Sequence, residues 1–404
     1  MTLDTPRTEA FKGRAIDLLD GAFYAGDPYP TYAWMRENAP AYWDSGNELW
    51  GISCYDDVVS IEQRKRLFIS SDQLKGGYRP NIPADPAIIG LDDPLHSLRR
   101  KLVSRRFTPR AVTRFEDHVR AVVTRLFDAA LSHDAPVEIV SELAAPLPAE
   151  MIGLLLGFPT DMTPSLQEWS ERSILLGGGP RYMNDEGVAA VMEFAAASAE
   201  LFEHKKGCPA DDVMSVWVDS EVPGHDFGVD EVISDCLLLL DGGAETTRTV
   251  IARTLLELAA RPDQWELIRD GADLDVAVEE FIRWVTPVHN MCRVATDDVE
   301  VGGELISAGD QVVLMYPAAN RDPAHFEDPE SFDVTRDPNH HIAFGFGTHF
   351  CLGSSLARLE IKCFFDELRS RVGSLEVIEG SVEEMPNAFV YGLAAARMNL
   401  SAPC

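Results

Sequence analysis

Apolar residues recur along most of the chain at helical spacing, and only locally at the two-residue spacing of strands. TYAWMRENAP at 31–40 has the apolar period of a short amphipathic helix that should end near Pro40. LWGISCYDDVVSIE at 49–62 reads as strand returning to helix. Residues 74–91 contain GGYRPNIPADP, too dense in Gly and Pro for a regular element, so a long irregular loop is predicted there, where binding functions often reside. From about 92 to 270 helical spacing dominates, with breaks expected at Pro109, in the Pro-rich stretch 144–148, and at 157–159, 177–180 and 219–226. VGGELISAGDQVVLM at 301–315 sets turn residues between β-branched runs, as in a hairpin. A connector rich in Pro, Asp and His follows at 320–350, and a helix over 352–372 closes the region. No repeat, linker or composition shift divides the chain, which predicts one mainly α domain over 1–404 with a smaller β-rich portion.

Composition narrows the possible functions. A hydrophobic content of 46% over 404 residues supports a sizeable core and argues against disorder. The first apolar runs are short and broken by charges, so neither a signal peptide nor a membrane anchor is expected, and the default is a cytoplasmic monomer. Seven cysteines, odd in number and without CxxC spacing, fit neither a disulfide framework nor a zinc knuckle. A formal charge of -31 excludes broad nucleic-acid affinity. Against that background Arg99, Arg100, Lys101, Arg105, Arg106, Arg110 and Arg114 crowd one stretch, which suits equally a solvated helix face and a dock for an acidic protein.

Four segments carry chemistry. In FGFGTHFCLG at 344–353, Gly345, Gly347 and Gly353 permit a tight turn around the Cys351 sulfur, and a helix beginning just after it adds its positive end. That arrangement suits a buried thiolate, although a lone cysteine is commonly a small buried hydrophobe. His340, His341, His349 and Cys351 could alternatively form a zinc site, or the histidines could simply be satisfied in a loop. LLLLDGGAETTRT at 237–249 is a Pro-free helical stretch with two glycines that serve either close helix packing or the approach of a flat ligand. Gly242 and Thr246, four apart, share a face, and Glu245 points to the adjacent sector, toward a groove that water could enter. In EEFIR at 279–283, Glu280 and Arg283 have the spacing of an ordinary surface ion pair. In DDPLHSLRRKLV at 92–103, His96 and Arg100 share one helical face.

Taken together and in this order, these segments resemble the cytochrome P-450 family, from DPYPTYAWMRENAP to HFCLGSSLARLE. The resemblance implies that family's mainly α fold with a smaller β-rich portion, holding haem b (heme, iron protoporphyrin IX) between a long distal helix and the cysteine loop. It implies Cys351 as the metal ligand, His96, Arg100, Arg293 and His349 as contacts of the haem propionates, and Glu245 and Thr246 as the catalytic acid and alcohol. Glu280, Arg283 and Arg336 become scaffold, joined to the connector FEDPESFDVTR at 326–336. The implied activity is insertion of one oxygen atom from O2 into an apolar substrate; a peroxide-using enzyme or a silent haem sensor are the competing readings.

No G-x-G-x-x-G follows a strand, so no intrinsic flavin or nicotinamide site is expected. An iron–sulfur ferredoxin, itself served by an NAD(P)H-dependent reductase, is the implied donor, docking on Arg99, Lys101, Arg105, Arg106 and Arg110. The implied substrate pocket includes Ile88, Leu238, Gly242 and Asp241, together with Val288, Met291 and Val390. TPVHNMCR at 286–293 and GGAETTR at 242–248 are similar to the actinobacterial enzymes that oxidise the terminal methyl of steroid side chains, with a terpenoid or polyketide-type product as the alternative substrate. Asp241 departs from that pattern, since its position is usually apolar.

Overall fold

Helices build the computed structural model, which describes residues 11–133 and 135–403. Helix α1 (Tyr29–Asn38) stops just before Pro40, and β1 (Ala41–Asp44) and β2 (Leu49–Ile52) pair antiparallel, Trp43 opposite Trp50. Helix α2 (Tyr55–Gln63) follows, and then β3 (Phe68–Ile69). The five-stranded sheet is completed by β4 (Asn290–Ala295) and β5 (Gln311–Met315) in the order β1-β2-β5-β4-β3, with β2 and β5 parallel.

The 301–315 segment splits rather than forming one hairpin. Val299–Val301 and Glu304–Ile306 pair around Gly302 and Gly303, whose φ of 59° and 84° suit glycine, while β5 leaves to join β2 and β4. The cause is burial: every residue of β5 is buried, so the strand needs a partner on each edge.

Residues 74–91 form the irregular loop, with a turn closed by an Arg79–Ile82 bridge and a short helical turn at Ile88–Gly90, and the Ile88 N–H donates to Asp235 Oδ1 at 2.7 Å. Helix α3 (Leu95–Ser104) leaves this loop, and α4 (Glu116–Ala130) follows. The prolines near 146 start a helix instead of breaking one. A π-helical turn at Ile139–Ala144 leads into α5 (Pro146–Leu156), with Pro146 in the first turn, where its missing N–H costs nothing. The stretch Ile139–Leu156 is long and apolar enough to cross a membrane, but most of it is buried in the protein core.

Helices α6 (Thr163–Ser173) and α7 (Asp185–Gly207) flank two short turns near Gly179. The central helix α8 (Val229–Ala260) runs for 32 residues, about 48 Å at 1.5 Å per residue. It packs on α5, α7, α9 (Leu274–Val285) and α10 (Ser354–Arg371). Gly243 permits the approach to α5, because a Cβ there would lie 2.3 Å from Ile152 Cδ1. Neighbouring Gly242 has no atom within 4 Å of that position, so the two glycines divide between close packing and an open face.

Candidate active site

The Cys351 loop is shaped by two glycines in left-handed conformations, Gly345 at φ 70° and Gly347 at φ 67°, and closed by the Cys351 N–H donating to Phe344 O at 2.8 Å. A Cβ on Gly347 would also lie 2.8 Å from the Glu62 carbonyl oxygen. Gly353 plays no such part: its φ is -85°, and it caps α10. Burial raises the Cys351 thiol above its ordinary pKa, against the pull of the Gly353 and Ser354 N–H groups and the charges of Arg100 and Arg358. A resident cation would be needed to hold it as a thiolate.

Facing this loop across a cavity of about 1540 Å³, its mouth included, α8 presents Leu238, Leu239, Gly242 and Thr246. The Thr246 hydroxyl donates to the Gly242 carbonyl at 2.7 Å. Ile88, Val288 and Met291 also line the cavity, contributed by the 74–91 loop and the segment entering β4.

Four basic side chains line the same cavity: His96, Arg100, Arg293 and His349. His96 is 1% exposed, and neither of its ring nitrogens has a hydrogen-bond partner among the described residues. The ring lies 4.3 Å from that of His349. Burial, aided by Arg100, lowers the His96 pKa to about 4, and burial with Arg293 beside it lowers His349 to about 2, so both rings are neutral. Arg293 lies 3.6 Å from Glu62, and Arg100 donates to the Phe350 carbonyl. Orphaned imidazole nitrogens and two guanidiniums beside a buried thiol form a donor set that fits a planar, dianionic iron porphyrin.

Glu245 departs from its expected place. It is 2% exposed, off the cavity, accepting from Ser170 on α6 at 3.2 Å and pairing with Arg248 at 3.2 Å. One residue along a helix is a turn of about 100°, which carries position 245 away from the face that holds Thr246. Burial raises its carboxyl pKa, with Arg248 opposing. Asp241 and Val390 are likewise not among the lining residues. Asp241 Oδ1 accepts from Ser173 Oγ at 2.7 Å, and Val390 forms a β-bridge with Val288.

Asp235, which the sequence reading passed over, does line the cavity. It sits seven residues before Gly242, two helical turns along the same face, and that spacing was the available signal.

Arg99 is a correction to the proposed docking surface: it is fully buried, donating to Asp235 at 2.6 Å, Glu231 at 3.0 Å and the Pro86 carbonyl at 2.6 Å. Three residues from His96, it falls on the inner face of α3, whereas Lys101 falls on the outer one. Lys101, Arg105 and Arg110 are exposed; Arg106 is half-buried and paired with Asp211 at 2.6 Å.

Glu280 and Arg283 are wholly buried rather than solvated, joined by two hydrogen bonds of 2.7 and 2.8 Å. Arg283 also donates to the carbonyls of Asn320, Pro329 and Ser331, and Arg336 Nε lies 3.2 Å from Glu280. His341 turns to Glu279 at 3.1 Å and His340 is exposed; among the described residues no three acidic, histidine or cysteine side chains converge as a metal site.

The cytochrome P-450 family model matches residues 264–371. A steroid C26-monooxygenase of Mycobacterium tuberculosis (strain ATCC 25618 / H37Rv) is 40% identical over 387 residues, covering 94% of this chain and 95% of its own. Its namesake in Mycolicibacterium smegmatis (strain ATCC 700084 / mc(2)155) is 38% identical, covering 93% and 94%. Among solved structures, a Mycobacterium marinum cytochrome P-450 in complex with pseudoionone superposes with a TM-score of 0.87 at 29% identity, covering 96% of this chain and 99% of that one. A Bacillus megaterium enzyme in complex with testosterone gives a TM-score of 0.84 at 29% identity, covering 93% and 98%.

Proposed function

The chain belongs to the cytochrome P-450 family, and from that premise we propose that this haem-thiolate monooxygenase hydroxylates the terminal methyl of a steroid side chain in the cytoplasm. The observation that carries the reading is an apolar chamber set between Thr246 on one side and the Cys351 sulfur on the other. The two mycobacterial relatives named for steroid C26 oxidation cover nearly the whole chain, and their substrate class supports the reading.

Cys351 would hold haem b, which when bound would supply the iron chemistry of O2 activation, the thiolate adding electron density. His96, Arg100, Arg293 and His349, which line the same cavity, would hold the two propionates. Leu238, Ile88, Val288 and Met291 exclude water and align an apolar chain with Thr246. The Thr246 hydroxyl orients a proton donor in the cavity, and its hydrogen bond to the Gly242 carbonyl fixes which way its lone pairs face. Glu245, paired with Arg248 and bonded to Ser170 off the cavity, is the nearest buried acid to Thr246 in sequence and serves the proton route. Electrons arrive from an acidic ferredoxin and its reductase at Lys101, Arg105 and Arg110.

Titration of the haem-loaded protein with 4-cholesten-3-one should give a low-spin to high-spin shift, and turnover with a ferredoxin system should give a product hydroxylated at the side-chain terminus by mass spectrometry. Absence of both, with a terpenoid giving shift and product, would replace the steroid by that substrate class.

A further inference from the structure

Asp241 is a half-buried acid at the edge of an apolar chamber, flanked in sequence by cavity-lining Leu239 and Gly242. Its Oδ1 accepts the Ser173 hydroxyl proton, while Oδ2 has no protein donor among the described residues. Across from it, Arg79 of the 74–91 loop stacks its guanidinium over Phe389 at 5.6 Å, and the Arg79 charge acts on Asp241. Arg79 Nε is buried without a partner. Phe389 itself packs against the turn after α6, where a Cβ on Gly177 would lie 2.6 Å from its ring. Asp241 and Arg79 are therefore a hydrogen-bonding spot with unused capacity just behind the cavity lining, one residue from cavity-lining Gly242. Burial raises the Asp241 pKa to about 7, with Ser173 and Arg79 opposing. A further donor to Oδ2 would offset part of the cost of holding a carboxyl there.

We propose that Asp241 Oδ2 accepts a hydrogen bond from a hydroxyl group on the substrate, making Asp241 a specificity-determining residue for lipophilic alcohols. The helix sets the distance. Asp241 is five residues from Thr246, about 7.5 Å along the axis, and its side chain leans toward the helix N-terminus, away from Thr246. After the length of the hydrogen bond is allowed for, the hydroxyl lies about four to six carbon–carbon bonds of about 1.5 Å from the oxidised carbon. On a steroid oxidised at its terminal methyl, that span falls on the inner part of the side chain, near carbons 20 to 22, and not on the distant ring oxygen. This assignment rests on the side-chain reading above for the steroid, and on the family reaction for the placement of Thr246.

Two matched probe pairs test it in the holoenzyme: 4-cholesten-3-one against its 22-hydroxy derivative, and 2,6-dimethyl-2-octene against 3,7-dimethyl-6-octen-3-ol. Spectral titration should show, for each pair that binds, the hydroxylated member binding about tenfold tighter, as expected for one hydrogen bond. The preference should vanish in Asp241→Val and survive in part in Asp241→Asn, which keeps an acceptor; haem content should be unchanged in both. Sterols that bind with no preference, or with a preference that Asp241→Val leaves intact, would overturn the Asp241 assignment and leave the steroid reading standing. An Asp241-dependent preference confined to the terpenoid pair, with sterols failing to bind, would uphold Asp241 and remove the steroid. Equal affinity across both pairs overturns the assignment.

Discussion

Thr246 and His289 show how single side chains in this protein take their role from what surrounds them. Thr246 presents its hydroxyl to the cavity while bonded to the Gly242 carbonyl. Replacing it by Ala removes the hydroxyl that is bonded to Gly242 at the cavity, so the fraction of electrons recovered as hydrogen peroxide should rise several-fold, while the thiolate-type reduced carbon-monoxide spectrum persists. A peroxide yield equal to wild type would mean that another group orients the proton donor. His289, by contrast, is structural. Its ring stacks on Tyr24 at 4.3 Å, is 4% exposed and leaves Nδ1 without a partner. Burial, with Arg253 adding to it, lowers its pKa from the ordinary 6.5 to about 3. The unfolded chain therefore takes up this proton first, and the stability due to the neutral ring is present above about pH 6.5 and lost as pH falls toward about 3. His289→Phe, which keeps the stack, should show a smaller drop in Tm across that window; identical pH profiles for the two proteins would reject the assignment.

At the scale of elements, α8 is where packing and chemistry meet. Gly242 and Gly243 are adjacent yet answer to different constraints, one facing open cavity and the other Ile152. Gly243→Ala forces a methyl into α5 and should cost roughly 1–3 kcal/mol, read as a lower Tm. Gly242→Ala should leave Tm unchanged or raise it, since Ala favours a helix interior by about 1 kcal/mol over Gly. It should at the same time weaken substrate binding, because its methyl enters the cavity. Equal thermal effects from the two substitutions would contradict this division. A period-3.6 pattern cannot separate these positions, because both are glycines in one helical run. The same limit explains Arg99: charge clustering placed it on a surface with Lys101 and Arg105, yet the 96–99–103 face of α3 is the buried one.

Over the whole molecule, a net charge of -31 makes the few unneutralised cations conspicuous. Lys101, Arg105 and Arg110 are exposed, whereas Arg106 and Arg114 share Asp211 and project less free charge. The double reversal Lys101→Glu with Arg105→Glu should slow reduction by an acidic ferredoxin about tenfold or more at low salt and flatten the salt dependence of the rate, with haem content unaltered. Reduction kinetics that match wild type over a salt series would move the docking surface elsewhere.

The mainly helical fold, the irregular 74–91 loop, the Cys351 turn and the shared face of Gly242 and Thr246 were all legible in the chain, because glycine, proline and hydrophobic periodicity act locally. Glu280 and Arg283 were legible only through resemblance: their spacing alone describes a surface pair, and burial beneath the connector is a matter of which elements stack. Tertiary structure alone decided that Arg99 turns inward to Asp235, that Glu245 meets Ser170, and that β5 leaves its hairpin for the central sheet. Each of these depends on a partner more than fifty residues away or on the rotation of one helix against another, and neither is encoded in the spacing of neighbours.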